Sequence, residues 1–130
     1  MYWRGRKDVI YLGYERYRRW LMSGKETGRA GELLAAAILS DRGYSILDMN
    51  FRTRSGEIDV VAQKDGRIHF VEVKTRLNDN WGWPEESVGR SKISKIKKTA
   101  EVFMADHKGD AREYSFDVMA IQAEHIRGCF

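Results

Sequence analysis

The sequence predicts an α/β domain in which a mixed sheet is flanked by helices. Two observations carry this. Two β-type segments meet at an Asp-Gly turn in the middle of the chain, and segments with helical apolar spacing lie on both sides of them. The chain has 130 residues, enough for one domain and too few for two with good cores. The order read along it is helix, three strands, helix, strand.

Residues 26–42 read as the first helix. Ala30 and the run Leu33 to Leu39 are apolar, and Gly43 follows as a C-terminal stop. Because the apolar residues surround this helix, it is expected to pack on more than one side. Tyr44 to Phe51 reads as the first strand, and Arg52 to Gly56 as a polar turn. Glu57 to Gln63 and Ile68 to Lys74 form the predicted hairpin, with Asp65-Gly66 as its central turn residues. A polar loop from Thr75 to Glu86 holds Trp81, Trp83 and the single proline, Pro84. Residues 87–106 read as the second helix, with Ile93, Ile96, Ala100 and Phe103 facing inward and Ser91 as a candidate cap. Tyr114 to Ile121 alternates as a last strand.

Residues 1–25 are read as a separate arm and residues 26–130 as the domain. The arm carries seven Lys or Arg against two acids, so the net charge of +4 comes from it and the remainder is near neutral. Tyr11, Tyr14, Tyr17 (or Arg18) and Leu21 recur in the arm at helical spacing. A basic arm suits a polyanion, though a solvated leader would have the same composition. No apolar run reaches the ~18 residues of a membrane helix, and no signal-peptide block follows the basic start. One cysteine, Cys129, permits no internal disulfide, and three scattered histidines offer no structural zinc pattern. A reducing, cytoplasmic setting without membrane contact is expected.

The hairpin carries the chemistry. With Asp65-Gly66 at the turn, Asp59 falls opposite Glu72 and Glu57 opposite Lys74, and strand alternation puts all four on one face. Opposed side chains have Cβ atoms about 4.5–5.5 Å apart, so two carboxylates there repel unless a cation compensates. Mg²⁺ or Mn²⁺ is the natural cation, since hard divalent ions take one or two carboxylates and keep waters. Lys74 can orient or deprotonate a water or stabilise charge on a phosphate. The same residues also fit a charged surface hairpin, with Glu57 and Lys74 as an ordinary cross-strand pair.

Glu32 lies at the edge of an apolar helical run and needs a partner: Arg29 three residues away, a metal, or its own proton. The second helix carries Arg90, Lys92, Lys95, Lys97 and Lys98 with no acid between the first and last. That suits a phosphate backbone, and also a solvated face. Arg52, Arg54 and Arg76 are further phosphate candidates. Trp81 and Trp83 could stack on bases or pack their own loop down. Asp117 reads as structural. Gly28 to Gly31 is too short for a P-loop, and no Ser or Cys stands in a nucleophile motif.

Taken jointly, Gly28-Arg29-Ala30-Gly31-Glu32, Asn50-Phe51-Arg52, Gly56-Glu57-Ile58-Asp59, Phe70-Val71-Glu72-Val73-Lys74-Thr75-Arg76 and Phe116-Asp117-Val118 resemble the YraN-like family of small bacterial proteins. The likeness spans roughly residues 26 to 122, and the arm lies outside it. It implies a restriction-endonuclease-like, PD-(D/E)xK core related to archaeal Holliday-junction resolvases. It also implies a site of Glu32, Asp59, Glu72 and Lys74. There Asp59 and Glu72 hold Mg²⁺ or Mn²⁺ with the Val73 carbonyl, Glu32 holds a metal-bound water or second ion, and Lys74 positions the attacking water. The expected activity is metal-dependent phosphodiester hydrolysis of nucleic acid, DNA ahead of RNA, with branched or non-standard structures among the candidate substrates; a resolvase would need two active sites and hence a homodimer. The competing expectation is a nucleic-acid-binding module that keeps the fold without catalysis. Lys92, Lys95 and Lys98, with Arg52, Arg54 and Arg76, would meet the nucleic acid.

Overall fold

The computed structural model describes residues 26–76, 89–107, 109, 111, 113–123 and 125–130. The basic arm and the loop with Trp81, Trp83 and Pro84 lie outside the described residues. The elements are α1 (Glu26–Asp41), β1 (Ser45–Arg52), β2 (Glu57–Lys64), β3 (Arg67–Arg76), α2 (Arg90–Asp106) and β4 (Glu113–Gln122). They follow the order read from the sequence, with ends moved by a few residues.

The four strands make one mixed sheet in the order β1-β2-β3-β4. The first three pair antiparallel, and β4 returns through α2 to pair parallel with β3. The β2–β3 turn is the expected one: Asp65 and Gly66 both have positive φ, 51° and 75°, which matches the right-handed twist of the strands. From it the ladder runs Lys64–Arg67, Gln63–Ile68, Ala62–His69, Val61–Phe70 and Val60–Val71, the register the turn dictates.

The two helices cover opposite faces. On the α1 side Ala36 and Leu39 bury against Ile46, Val60, Ala62 and Val71. On the α2 side Ala100 buries with Ile58, Val61, Ile68 and Phe70, and Phe103 meets Phe51 and Phe70 edge-on. Burial of these side chains contributes about 1.5–3 kcal/mol for each large one. Leu34 in α1 is half exposed, so not every apolar residue of α1 is buried. Two expectations for α2 are corrected. Ile93 in α2 is exposed as well, and Thr99 takes the buried position beside Ala100. Ser91 lies inside α2 and does not cap it: the cap residue is Gly89, which has no side chain to offer.

One irregularity positions the site. Ile58 packs on the α2 side and Val60 on the α1 side, although residues two apart on a regular strand share a face. In β1, Phe51 and Met49 switch sides in the same way. The pairs Met49–Val60 and Phe51–Ile58 bracket Asn50 and Asp59. Asn50 has φ 52°, a left-handed conformation that asparagine tolerates better than most residues. Alternation therefore breaks at Asn50 and Asp59 together, next to where the β2–β3 ladder stops.

Candidate functional site

Three carboxylates meet in one cleft of about 1120 Å³, between the N-terminal ends of α1 and α2. Glu32 comes from α1, Asp59 from the break in β2 and Glu72 from β3. Glu57, Asn50, Arg52, Lys92 and Lys95 also line it.

Asp59 reaches across to β3 and accepts a hydrogen bond from the Val73 N–H at 2.8 Å. This side-chain bond stands where the strand ladder has ended. On a strand the N–H and C=O of one residue point to the same side, so the Val73 carbonyl also faces the Asp59 edge. Burial, reinforced by the charges of Glu72 and Glu32, pushes the Asp59 carboxyl up to about 7, against the opposing pull of the Val73 N–H and Lys92. Glu32 is likewise raised, first by burial and also by Glu57 and Glu72. Its partner is the Asn50 side chain, which donates to Oε2 at 2.8 Å. Arg29, the neighbour expected as its local ion-pair partner, adds a favourable charge.

Glu72 is 8% exposed, the most buried acid among the described residues. Its Oε1 accepts from Lys92 and lies 3.7 Å from the Lys74 ammonium. Burial and the neighbouring Lys92 charge lower the Lys74 pKa. Burial acts on Lys92 in the same direction, but the hydrogen bond and charge of Glu72 outweigh it, and Lys92 is raised. Glu57 pairs with its cross-strand neighbour Arg52 on β1 at 3.2 Å and not with Lys74 on β3. That exposed bridge contributes little stability.

The site is fixed in part by a close approach. A Cβ on Gly31 would stand 1.8 Å from the Thr75 hydroxyl oxygen. That oxygen is buried without a hydrogen-bond partner. Glycine here lets α1 press against β3 directly beside Glu32.

Among the phosphate candidates, Arg52 and Lys95 line the cleft, while Lys92 is engaged on Glu72. Arg54 is exposed in the β1–β2 turn, and Lys98 is exposed on α2 away from the cleft lining. Arg76 ends β3, and its side chain lies outside the description. Sequence reasoning missed Asn50 as a site residue; the available signal was an asparagine opposite Asp59 in a strand pair. It also missed the cluster on the α1 face, where His69 Nδ1 meets Asp117 at 2.7 Å and Ser115 at 3.0 Å. Both contacts fall on the same ring nitrogen, so this is not a nucleophile–base–acid relay, in which serine and carboxylate take different nitrogens. Asp117, expected to be structural, is held by His69.

Comparison with known proteins identifies the family. The model of the uncharacterised protein family UPF0102 matches residues 31–121. The chain belongs to this family. A UPF0102 protein of Caldicellulosiruptor bescii is 50% identical over 101 residues, covering 77% of this chain and 85% of its own length. One from Syntrophomonas wolfei is 47% identical over 100 residues, with 77% and 87% covered. One from Dictyoglomus thermophilum is 41% identical over 100 residues, with 77% and 85% covered. The YraN-like resemblance drawn from the motifs is thus correct at the family level, and the UPF0102 match contains Glu32, Asp59, Glu72, Lys74 and Lys92.

Among the described residues of this UPF0102 chain, no three His, Cys, Asp or Glu side chains close into a ready-made metal cage. The donor set is nonetheless one that suits a hard ion: all oxygen, crowded with negative charge, with a backbone carbonyl on the same edge. Mg²⁺ commonly uses one or two carboxylates and keeps its waters. Among the described residues no helix is long and apolar enough to cross a membrane.

Proposed function

We propose that this protein is a metal-dependent nuclease of restriction-endonuclease-like fold that hydrolyses phosphodiester bonds in DNA. The observation that carries the reading is the convergence of Asp59, Glu72 and Glu32 in one cleft that Arg52 and Lys95 also line, where burial and the neighbouring acids raise the Asp59 carboxyl. A fold gains nothing from gathering three acids in a partly buried place; a cation-dependent site does.

Asp59 and Glu72 would hold Mg²⁺ or Mn²⁺ with the Val73 carbonyl, and Glu32 would act through water. The ion supplies Lewis-acid polarisation of the phosphate and an easily ionised water. The chain's own residues do the rest. Asn50 holds the Glu32 carboxylate at the cleft, and the Val73 N–H fixes the rotamer of Asp59. Lys74, its ammonium 3.7 Å from Glu72 Oε1, is suited to position the attacking water and to stabilise charge developing on the phosphate. Arg52 and Lys95 bind and orient the phosphate backbone.

The engagement of Lys92 with Glu72 supports a second reading, a nucleic-acid-binding module whose acids are neutralised internally. One experiment separates the two. Labelled single-stranded, duplex, flap and four-way-junction DNA is incubated with the protein and Mg²⁺ or Mn²⁺, beside Asp59→Ala. Cutting that needs the metal and disappears in Asp59→Ala is expected. Binding without cutting, equal in both proteins, overturns the nuclease and leaves the module.

A further inference from the structure

We propose that Lys92 is a tethered counter-cation: it occupies Glu72 when no divalent ion is bound and leaves when one enters, freeing its ammonium for a substrate phosphate. The proposal rests on the metal-site reading above and assigns to Lys92 a role that a simple phosphate contact does not include.

The geometry is specific. Two ammonium groups address the same carboxylate oxygen, Glu72 Oε1, one from the sheet and one from the helix. Lys74 reaches it from two residues along the same strand, with its side chain 24% exposed. Lys92 reaches it from the first turn of α2, across the cleft, with its side chain 44% exposed. A divalent ion on the Glu72 carboxylate withdraws charge from it and repels an ammonium hydrogen-bonded there, so the two cations compete for the same group. Of the two lysines the one to leave is Lys92, since it is the more solvated and stands on a flexible four-carbon stem. Lys74 is already near van der Waals separation from Glu72 and stays.

The displaced ammonium has somewhere to go. Lys92 and Lys95 both line the cleft. Once off Glu72, Lys92 adds a positive charge to that wall, where Arg52 also stands. Entry of the ion then strengthens phosphate binding, and by linkage phosphate strengthens binding of the ion. Without the ion, Lys92 is withheld from the phosphate backbone.

The test uses the full chain and Mn²⁺, with the free ion followed by electron paramagnetic resonance. Removing the competing ammonium in Lys92→Met is expected to tighten Mn²⁺ binding about tenfold, the scale of one charge-assisted hydrogen bond net of solvent screening. Lys92→Arg keeps the cation and is expected to bind Mn²⁺ like the native protein. Thermal unfolding confirms that both variants fold. A second measurement takes duplex DNA with Ca²⁺ in place of Mg²⁺. The gain in DNA affinity on adding Ca²⁺ is expected to be several-fold in the native protein and smaller in Lys92→Met. Equal or weaker Mn²⁺ binding by Lys92→Met overturns the competition, and an equal Ca²⁺ gain in both proteins overturns the coupling. Asp59→Asn keeps the two readings apart. If it abolishes Mn²⁺ binding while Lys92→Met changes nothing, only the role of Lys92 falls. If Asp59→Asn leaves Mn²⁺ binding intact, the metal site itself is wrong.

Discussion

Replacing Asp59 by asparagine should make the metal-free protein more stable, which is the opposite of what most buried substitutions do. The carboxyl is displaced from 3.8 to about 7. That corresponds to about 4 kcal/mol of disfavoured ionisation, at 1.36 kcal/mol for each tenfold change. Asp59 is only partly buried, and solvent screening reduces the figure to about 2 kcal/mol. The sign follows from proton linkage. Below pH 3.8 the carboxyl is protonated in both folded and unfolded chains and costs nothing. Between 3.8 and about 7 the unfolded chain has released its proton and the folded chain has not, so stability falls as pH rises. Above pH 7 the penalty is complete. Asparagine carries no charge, and its side-chain oxygen can still accept from the Val73 N–H. Asp59→Asn should therefore gain about 2 kcal/mol over the native protein at pH 8 in EDTA, about 7 °C in Tm for a domain of this size, and almost nothing at pH 4. Thermal unfolding by circular dichroism at both pH values measures it. Millimolar Mg²⁺ should then raise the Tm of the native protein and leave Asp59→Asn unmoved. A variant less stable than native at pH 8, or a gain equal at both pH values, would refute the claim that this carboxylate is held against its own electrostatics.

Other substitutions probe the supports of the site. Gly31→Ala forces a methyl group into the Thr75 side chain and should cost about 1–3 kcal/mol; the double change Gly31→Ala with Thr75→Ala should recover part of it, as measured by urea unfolding. Asn50→Ala loses both the left-handed preference and the Glu32 bond, and should cost about 1–3 kcal/mol. Asn50→Gly keeps the backbone, so it should cost less while still releasing Glu32, a difference that unfolding midpoints resolve. Phe70→Ala empties the centre of the α2-side core and should cost about 3–5 kcal/mol, enough to show in expression and in Tm.

The hairpin was legible because its determinants are local. Asp65-Gly66 selects a two-residue turn, the turn fixes the register, and five ladder pairs obey it. The helices were legible from apolar spacing, but Ile93 was misplaced. Periodicity shows which residues share a face without showing how far the sheet extends beneath it. Glu32, Asp59 and Glu72 were each singled out from the sequence, and the fold brings them to one cleft. The hydrogen-bonding partners were not foreseen. Arg29 is legible as a charge neighbour of Glu32 because helical neighbours are countable, whereas the hydrogen-bond donor Asn50 is 18 residues away on another element. Lys92 was counted with the phosphate-facing lysines because no local rule reveals that the start of α2 crosses the cleft to Glu72.

The structure changes the strict alternation on which the pairing of Asp59 with Glu72 rests. Strict alternation would put Glu57, Asp59 and their opposites on one face of an unbroken ladder. In the molecule the ladder ends at Val60–Val71, alternation fails at Asn50 and Asp59, and Asp59 bonds to the β3 backbone through its side chain. This break is what allows Asp59 to occupy a sheet whose neighbouring residues Ile58 and Val60 are fully buried. In a regular strand an acid between them would face one of the two helix-covered cores, where a charge is costly. Turning β2 over at that one residue directs Ile58 and Val60 into opposite cores and leaves Asp59 at the opening between them. The left-handed Asn50 opposite makes the turn possible at the cost of about 1 kcal/mol of backbone strain. Its side chain then offsets part of that cost by holding Glu32. One strained asparagine thus places two of the three acids, which is why Asn50→Gly should separate the backbone role from the side-chain role more cleanly than any substitution of the acids themselves.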